Sequence, residues 1–434
     1  MESASESGPK ISDAIAEFLH DLDGIKNAEQ IACPLLQALA NRSGEEHQNL
    51  INELRTETDD QSKEVTFFVP VERNREYHAV RRRHKLADSA IYQTPRALLV
   101  AMVSSFDAYL ARLLRCIFYL RPERIDNSER TLSFSQLVNL DSIDAAREHV
   151  INKEIETFLR QSHVEHFDIL EKLLDMPLRK GLDSWTKFVE ITQRRNLFVH
   201  TNGVVSDQYV SVCKNNGCDI GDAKIGDKLF LDDTYFRIAF ECLYEIGVKL
   251  AHVIWRKLSP DQLEDADASL NQICYELLQI KRYRLAHNIL FFATDTIKKH
   301  STALNRRMMV INRAIAVKFG EIESDASPLD LEDWSDCGLP FQLAIAVLND
   351  KFESACDIMR KLGTEHDMVT RTAYANWPLF QQFRENENFL TTYREMFGAE
   401  FDVKESADQP SEKQGKPYET DSGDETNRQS DPES

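Results

Sequence analysis

The chain has 434 residues, with 72 Asp and Glu against 52 Lys and Arg, for a net charge of −20. That balance excludes a protein that coats nucleic acid by bulk charge, because non-specific binding needs phosphates neutralised by Lys and Arg; a local basic site stays open. Gly (15) and Pro (13) make up about 6% of the chain, half their average share, which argues against a strand-rich sandwich or barrel and for long helices.

The length predicts two or three domains. Residues 1–10 are polar, and MESASESGPKISDAIAEF shows no basic n-region and no apolar h-region, so no signal peptide is expected. Eight thinly scattered cysteines do not form a disulfide framework and read as reduced thiols of a cytoplasmic protein. Helical patterning is expected at 11–22, 28–42 and 46–57. VTFFVPVE (65–72) then reads as a short strand that Pro70 confines to an edge or an end. Residues 73–85 are strongly basic; Arg81, Arg82 and Arg83 are either a solvated face or an RNA-steering patch. The first domain is expected to end at 87.

Residues 88–260 read as a compact set of long helices. The first starts with Thr94 as N-cap and Pro95 at the first helical position. Its apolar run, 97–120, carries Asp107, Arg112 and Arg115, charges that exclude a membrane span. An interrupted amphipathic region covers 142–171. The next helix runs from Ser184, with Lys187 spoiling its capping box, to His200, and stops at Thr201-Asn202-Gly203. YVSVC and AKIGDKLFL flank Asn216-Gly217 and predict a short β-hairpin. A last helix covers 233–258.

Residues 261–402 form a second helical block. RYRLAHNIL and KFESACDIM share a pattern and lie 69 residues apart, about twice the tetratricopeptide period, whereas AIAV recurs after 30. The block is therefore either a helical-hairpin, TPR-like array or an ordinary helical domain. The tail, 403–434, is almost without apolar residues and is expected to be a disordered acidic segment.

Chemistry concentrates in Gln193-Arg194-Arg195-Asn196-Leu197-Phe198-Val199-His200. Asn196 and His200 are four apart and share a helix face. Arg195 and His200 are five apart and diverge by about 140° on a regular helix, so their convergence needs an ending or distorted helix, or two chains. His suits proton transfer near neutrality, and Arg offers a permanently charged fork to phosphate. A helix-end His beside an Arg is also an ordinary cap for the last carbonyls. Cys213 and Cys218 lack the second pair that a structural zinc site needs, and read as flanks of a turn. Gly221 to Lys228 lacks the Gly-Lys-Ser/Thr of a phosphate loop, and His163-Val-Glu165-His166 is not HExxH. No metal or cofactor is expected.

Arg195-Asn196 followed by His200, with a long acidic-residue-bearing helix before it and a long helix after it, resembles the R-x4-6-H motif of HEPN domains. The resemblance covers 88–260, about 40% of the chain. It implies a mainly α fold with a four- or five-helix bundle, and in many members a metal-independent ribonuclease whose two protomers bring their motifs into one cleft. Such domains are frequent in toxin, antiviral-defence and RNA-processing systems. On this reading Arg195 stabilises transition-state charge, His200 moves protons, and Asn196 positions His200 or phosphate. Asp107 would hold Arg195, and Arg194 would be a solvated or phosphate-steering residue. The implied function is a homodimeric endoribonuclease acting on RNA, with the C-terminal helices binding a protein partner or antitoxin. The alternatives are a non-catalytic helical scaffold and an inactive member that only dimerises or binds nucleotide.

Overall fold

In a computed structural model of the chain, which describes residues 8–58, 65–126, 131–324 and 326–401, the protein is mainly helical, as its low Gly and Pro content requires. The expected disordered tail, 403–434, lies outside the described residues.

α1 (Ile11–Leu54) and α2 (Asn74–Leu120) form one long hairpin joined by the antiparallel pair β1 (Arg55–Thr58) and β2 (Val65–Phe67). The three segments expected over 11–57 are thus one helix and a strand. Glu46 meets Arg83 at 3.0 Å and Glu17 meets Arg112 at 2.6 Å, so the two helices run antiparallel along nearly their whole length. This packing overrides two local signals. Pro34 sits inside α1, and Pro95 sits inside α2 rather than at a helix start. A proline breaks an isolated helix, but both flanks here are fixed by the neighbouring helix. α2 is long and apolar enough to cross a membrane by length and composition alone. Many of its large apolar residues from Leu99 to Phe118, among them Leu99, Met102, Phe106, Leu110, Leu113 and Ile117, are buried in the protein, and Arg112 and Arg115 are ion-paired.

The short α3 (Glu123–Asp126) and α4 (Phe134–Val138) lead into α5 (Ile143–Leu159), α6 (His163–Leu174), α7 (Trp185–His200), α8 (Asp207–Asn215) and α9 (Asp233–Leu258). Aromatic rings tie the first helices to the later ones: Phe18 of α1 stacks on Tyr109 of α2 at 4.3 Å, and Phe106 meets Phe188 of α7 at 5.1 Å. Gly247 of α9 admits this cluster, because a Cβ there would stand 2.3 Å from the Phe18 ring. Tyr109 donates its hydroxyl proton to the Gly247 carbonyl at 2.8 Å, so the buried OH is satisfied.

The hairpin expected around Asn216-Gly217 is not formed. YVSVC lies in α8, whose Tyr209 and Cys213 both face inward at the four-residue helical spacing. The residues beyond it are loop, which returns to pair with residues 203–205: the Val205 amide donates to the Asp227 carbonyl and the Leu229 amide to the Gly203 carbonyl at 2.9 Å each, and the Gly226 amide to the Val205 carbonyl at 3.0 Å. None of the eight cysteines is in a disulfide. Cys213 is packed with Leu197, Val205 and Tyr209, and burial pushes its pKa up to about 12, so it behaves as a small hydrophobe.

α10 (Leu263–Gln279), α11 (Tyr283–Phe291) and α12 (Ala303–Phe319) follow, and then α13 (Leu339–Leu348), α14 (Phe352–Leu362), α15 (Arg371–Asn376) and α16 (Glu387–Phe397). The chain divides into two compact units after Leu331. The boundaries expected at 87 and 260 both fall inside the first unit, since α1 packs on α2 and α9, and α9 on α10 and α11. In the second unit, Tyr374, Phe380, Phe383 and Phe389 are fully buried and form the aromatic core. The two similar segments, RYRLAHNIL and KFESACDIM, each enter a helix through the same turn. Lys281 and Asp350 have φ of 59° and 57°, and the next amide reaches back five residues, Arg282 to Leu277 and Lys351 to Ala346.

Candidate active site

α7 carries the motif and is fixed at both ends. At its start Ser184 does not cap the helix; its hydroxyl turns to Glu245 Oε1 at 3.3 Å. At its end the stop falls where Asn202-Gly203 demands it, with φ of 53° and 83°. The amides of Thr201 and Gly203 both reach the Leu197 carbonyl at 2.9 Å. Arg96 of α2, missed by sequence reasoning, pins this turn. It is buried, donates to Asn202 Oδ1 and to the Leu229 carbonyl at 2.9 Å each, and lies over the rings of Tyr92 and Phe198.

Arg195 and Asp107 meet as expected. Arg195 Nη2 donates to Asp107 Oδ2 at 3.0 Å, across from α7 to α2. The other carboxylate oxygen, Oδ1, faces His163 Nε2 of α6 at 2.8 Å. His166 lies one helical turn on, its ring 5.2 Å from that of His163. It is almost fully buried and its Nε2 is 2.8 Å from the Phe158 carbonyl. Burial, reinforced by the neighbouring His163, lowers the His166 pKa to about 4, so the ring is neutral near pH 7. The fold therefore assembles Asp107, His163, His166 and Arg195 from three helices. The sequence reading set the two histidines aside because HVEH is not HExxH, although their i, i+3 spacing on one helix face was readable.

His200 does not join this cluster. Of the routes left open by the sequence, an ending or distorted helix or two chains, α7 shows a helix that stays regular up to His200 and ends there, so the two side chains keep their helical divergence. His200 is exposed and Asn196 half-buried, and no hydrogen bond joins the two among the described residues.

Arg194 corrects the sequence reading. It is neither solvated nor free to steer phosphate. Its Nε donates to the buried Glu190 at 2.7 Å and its guanidinium lies 3.9 Å from the Tyr235 ring centre. Glu190 also accepts from the hydroxyls of Tyr209 at 2.7 Å and Tyr235 at 2.6 Å. Burial, with the Glu190 carboxylate beside them, pushes both phenols above their ordinary range. This network bolts α7 to α8 and α9. Of the basic segment, Arg81, Arg82 and Arg83 are all exposed on α2, and Arg83 is paired with Glu46 at 3.0 Å.

No family model, no curated protein and no solved structure matches this chain.

Proposed function

We propose that the protein is a metal-independent endoribonuclease of HEPN type, built on a helical bundle of α2, α5, α6, α7 and α9 and acting as a homodimer in the cytoplasm. The observation that carries this reading is the Asp107–Arg195 ion pair, which holds the motif arginine in one orientation while leaving His200 exposed at the end of the same helix. In the reaction His200 takes the proton of the ribose 2′-OH, whose oxygen attacks phosphorus. Arg195 stabilises the phosphorane charge, the P–O5′ bond breaks, and the leaving oxygen takes a proton. The products are a 2′,3′-cyclic phosphate and a 5′-OH. Asn196 positions phosphate, and Arg81 and Arg82 draw RNA toward the bundle. The role is that of a defence or toxin-like effector.

The C-terminal helices restrain or sense through a protein partner or antitoxin. The shared turn before α11 and α14 supports reading them as TPR-like hairpins. The test compares wild type with Arg195→Ala and His200→Ala in an RNA cleavage assay containing EDTA. Cleavage by wild type and a loss of roughly 10²- to 10⁴-fold in each variant is expected. Equal activity in all three, or none in the wild type, leaves the helical scaffold as the function.

A further inference from the structure

We propose that Asp107, His163 and His166 form a divalent transition-metal site of the two-histidine, one-carboxylate kind, suited to Zn²⁺. The inference does not rest on RNA cleavage and extends to a cluster in which the sequence suggested no metal.

Three buried atoms converge there: Asp107 Oδ1 and His163 Nε2, which meet only each other at 2.8 Å, and His166 Nδ1, which has no hydrogen-bond partner. One ligand atom from each residue lies within 4.8 Å of the others. A tetrahedral ion with bonds of about 2.0–2.1 Å holds its ligands roughly 3.4 Å apart, inside that span. The close pair, His163 and Asp107 at 2.8 Å, would part by about half an ångström. An unpartnered buried polar atom is costly, and an ion would satisfy His166 Nδ1 while joining the other two atoms to it.

The surroundings of these atoms also fit. His166 Nε2 is 2.8 Å from the Phe158 carbonyl, so Nε2 carries the proton and Nδ1 presents its lone pair inward. A ring N–H given to a backbone carbonyl is the usual outer support of a metal-bound histidine. Asp107 Oδ2 is held by Arg195, which orients the carboxylate and leaves Oδ1 for the ion. Glu165, between the two histidines, accepts the Ser162 amide at the start of α6 and is not a ligand. Two imidazoles and one carboxylate suit Zn²⁺ and its borderline neighbours rather than Mg²⁺ or Ca²⁺, which prefer all-oxygen shells.

The test titrates Co²⁺ into untagged, metal-stripped, full-length protein and follows the visible d–d bands. One Co²⁺ per chain, displaced by Zn²⁺, is expected. His163→Gln and His166→Gln should each weaken binding by at least tenfold. Because His166 is buried, a wild-type measurement stands beside the variants. Proton NMR of the Co²⁺ form should show two strongly shifted imidazole N–H signals, one of them slow to exchange with solvent because it faces Phe158. No Co²⁺ band, binding unchanged in the His163→Gln variant, or no shifted imidazole signal would overturn the proposal and leave Asp107 and His163 as an ion pair only. Each of these readouts is independent of RNA cleavage, so loss of one proposal leaves the other standing.

Discussion

At the scale of single residues, partners decide roles that residue type leaves open. Arg194 and Arg195 are adjacent and chemically identical, yet one lies in a buried network with Glu190, Tyr209 and Tyr235 while the other meets the half-exposed Asp107. The difference follows from the 100° turn between neighbours on a helix, which points one toward α8 and α9 and the other toward α2. Sequence reasoning could name Asp107 as a partner for Arg195 because both belong to one pattern. It could not see Glu190, since a glutamate four residues before an arginine reads as an ordinary solvated helix pair.

His252 of α9 shows the energetic side of burial. It is fully buried, neither ring nitrogen has a hydrogen-bond partner, and its pKa is lowered to about 3, by burial first and then by the neighbouring Arg256 charge, against an opposing pull from Asp267. The folded state thus keeps His252 neutral well below the pH at which the unfolded chain protonates it, near 6.5. The contribution is fully present above pH 6.5 and is lost as pH falls toward 3. The cost is about 1.4 kcal/mol per pH unit, or about 2 kcal/mol at pH 5. Urea unfolding of wild type and His252→Leu between pH 7 and 5 checks this. The variant should show a shallower acid loss by about that amount, and parallel curves would contradict it.

At the scale of elements, local signals held where the chain's own chemistry makes the structure and failed where packing makes it. Asp232 accepts the Tyr235 amide at 2.7 Å and starts α9, as an aspartate before an apolar run should. Asn202-Gly203 ends α7 because only residues tolerant of positive φ fit there. Pro95 does not start a helix and YVSVC does not make a strand, because in each case contacts distant in sequence outweigh a local preference. The turn after α7 is the most constrained of these elements. A Cβ at Gly203 would stand 2.7 Å from Arg96 Nη2 and 3.1 Å from the Leu229 carbonyl oxygen, at a φ of +83°. Gly181 has a similar φ of +75° but nothing within 4 Å. Gly181→Ala therefore costs only the backbone strain, about 1 kcal/mol. Gly203→Ala must in addition displace the buried Arg96 and costs about 3 kcal/mol. The two urea midpoints separate these cases; equal shifts would show that Arg96 does not clamp the turn.

At the scale of the whole molecule, helix geometry constrains how an Arg195–His200 site can be assembled. α7 is regular from Trp185 to His200, which leaves the two side chains on different faces, one turned to Asp107 and the other exposed. A site using both residues then draws Arg195 from one protomer and His200 from its partner, and a two-fold axis makes two such sites per dimer. Sequence could state this alternative beside an ending or distorted helix, and the regularity of α7 up to His200 argues against distortion. The consequence is testable by mixing inactive variants. Arg195→Ala and His200→Ala dimers each lack every complete site. A mixed dimer keeps one complete site of two, formed by Arg195 of the second variant and His200 of the first. Random exchange makes half the dimers mixed, so RNA cleavage should recover to about a quarter of the wild-type rate. Were both residues to act within one chain, every protomer in the mixture would still lack one of them, and the mixed sample would stay as inactive as its parents.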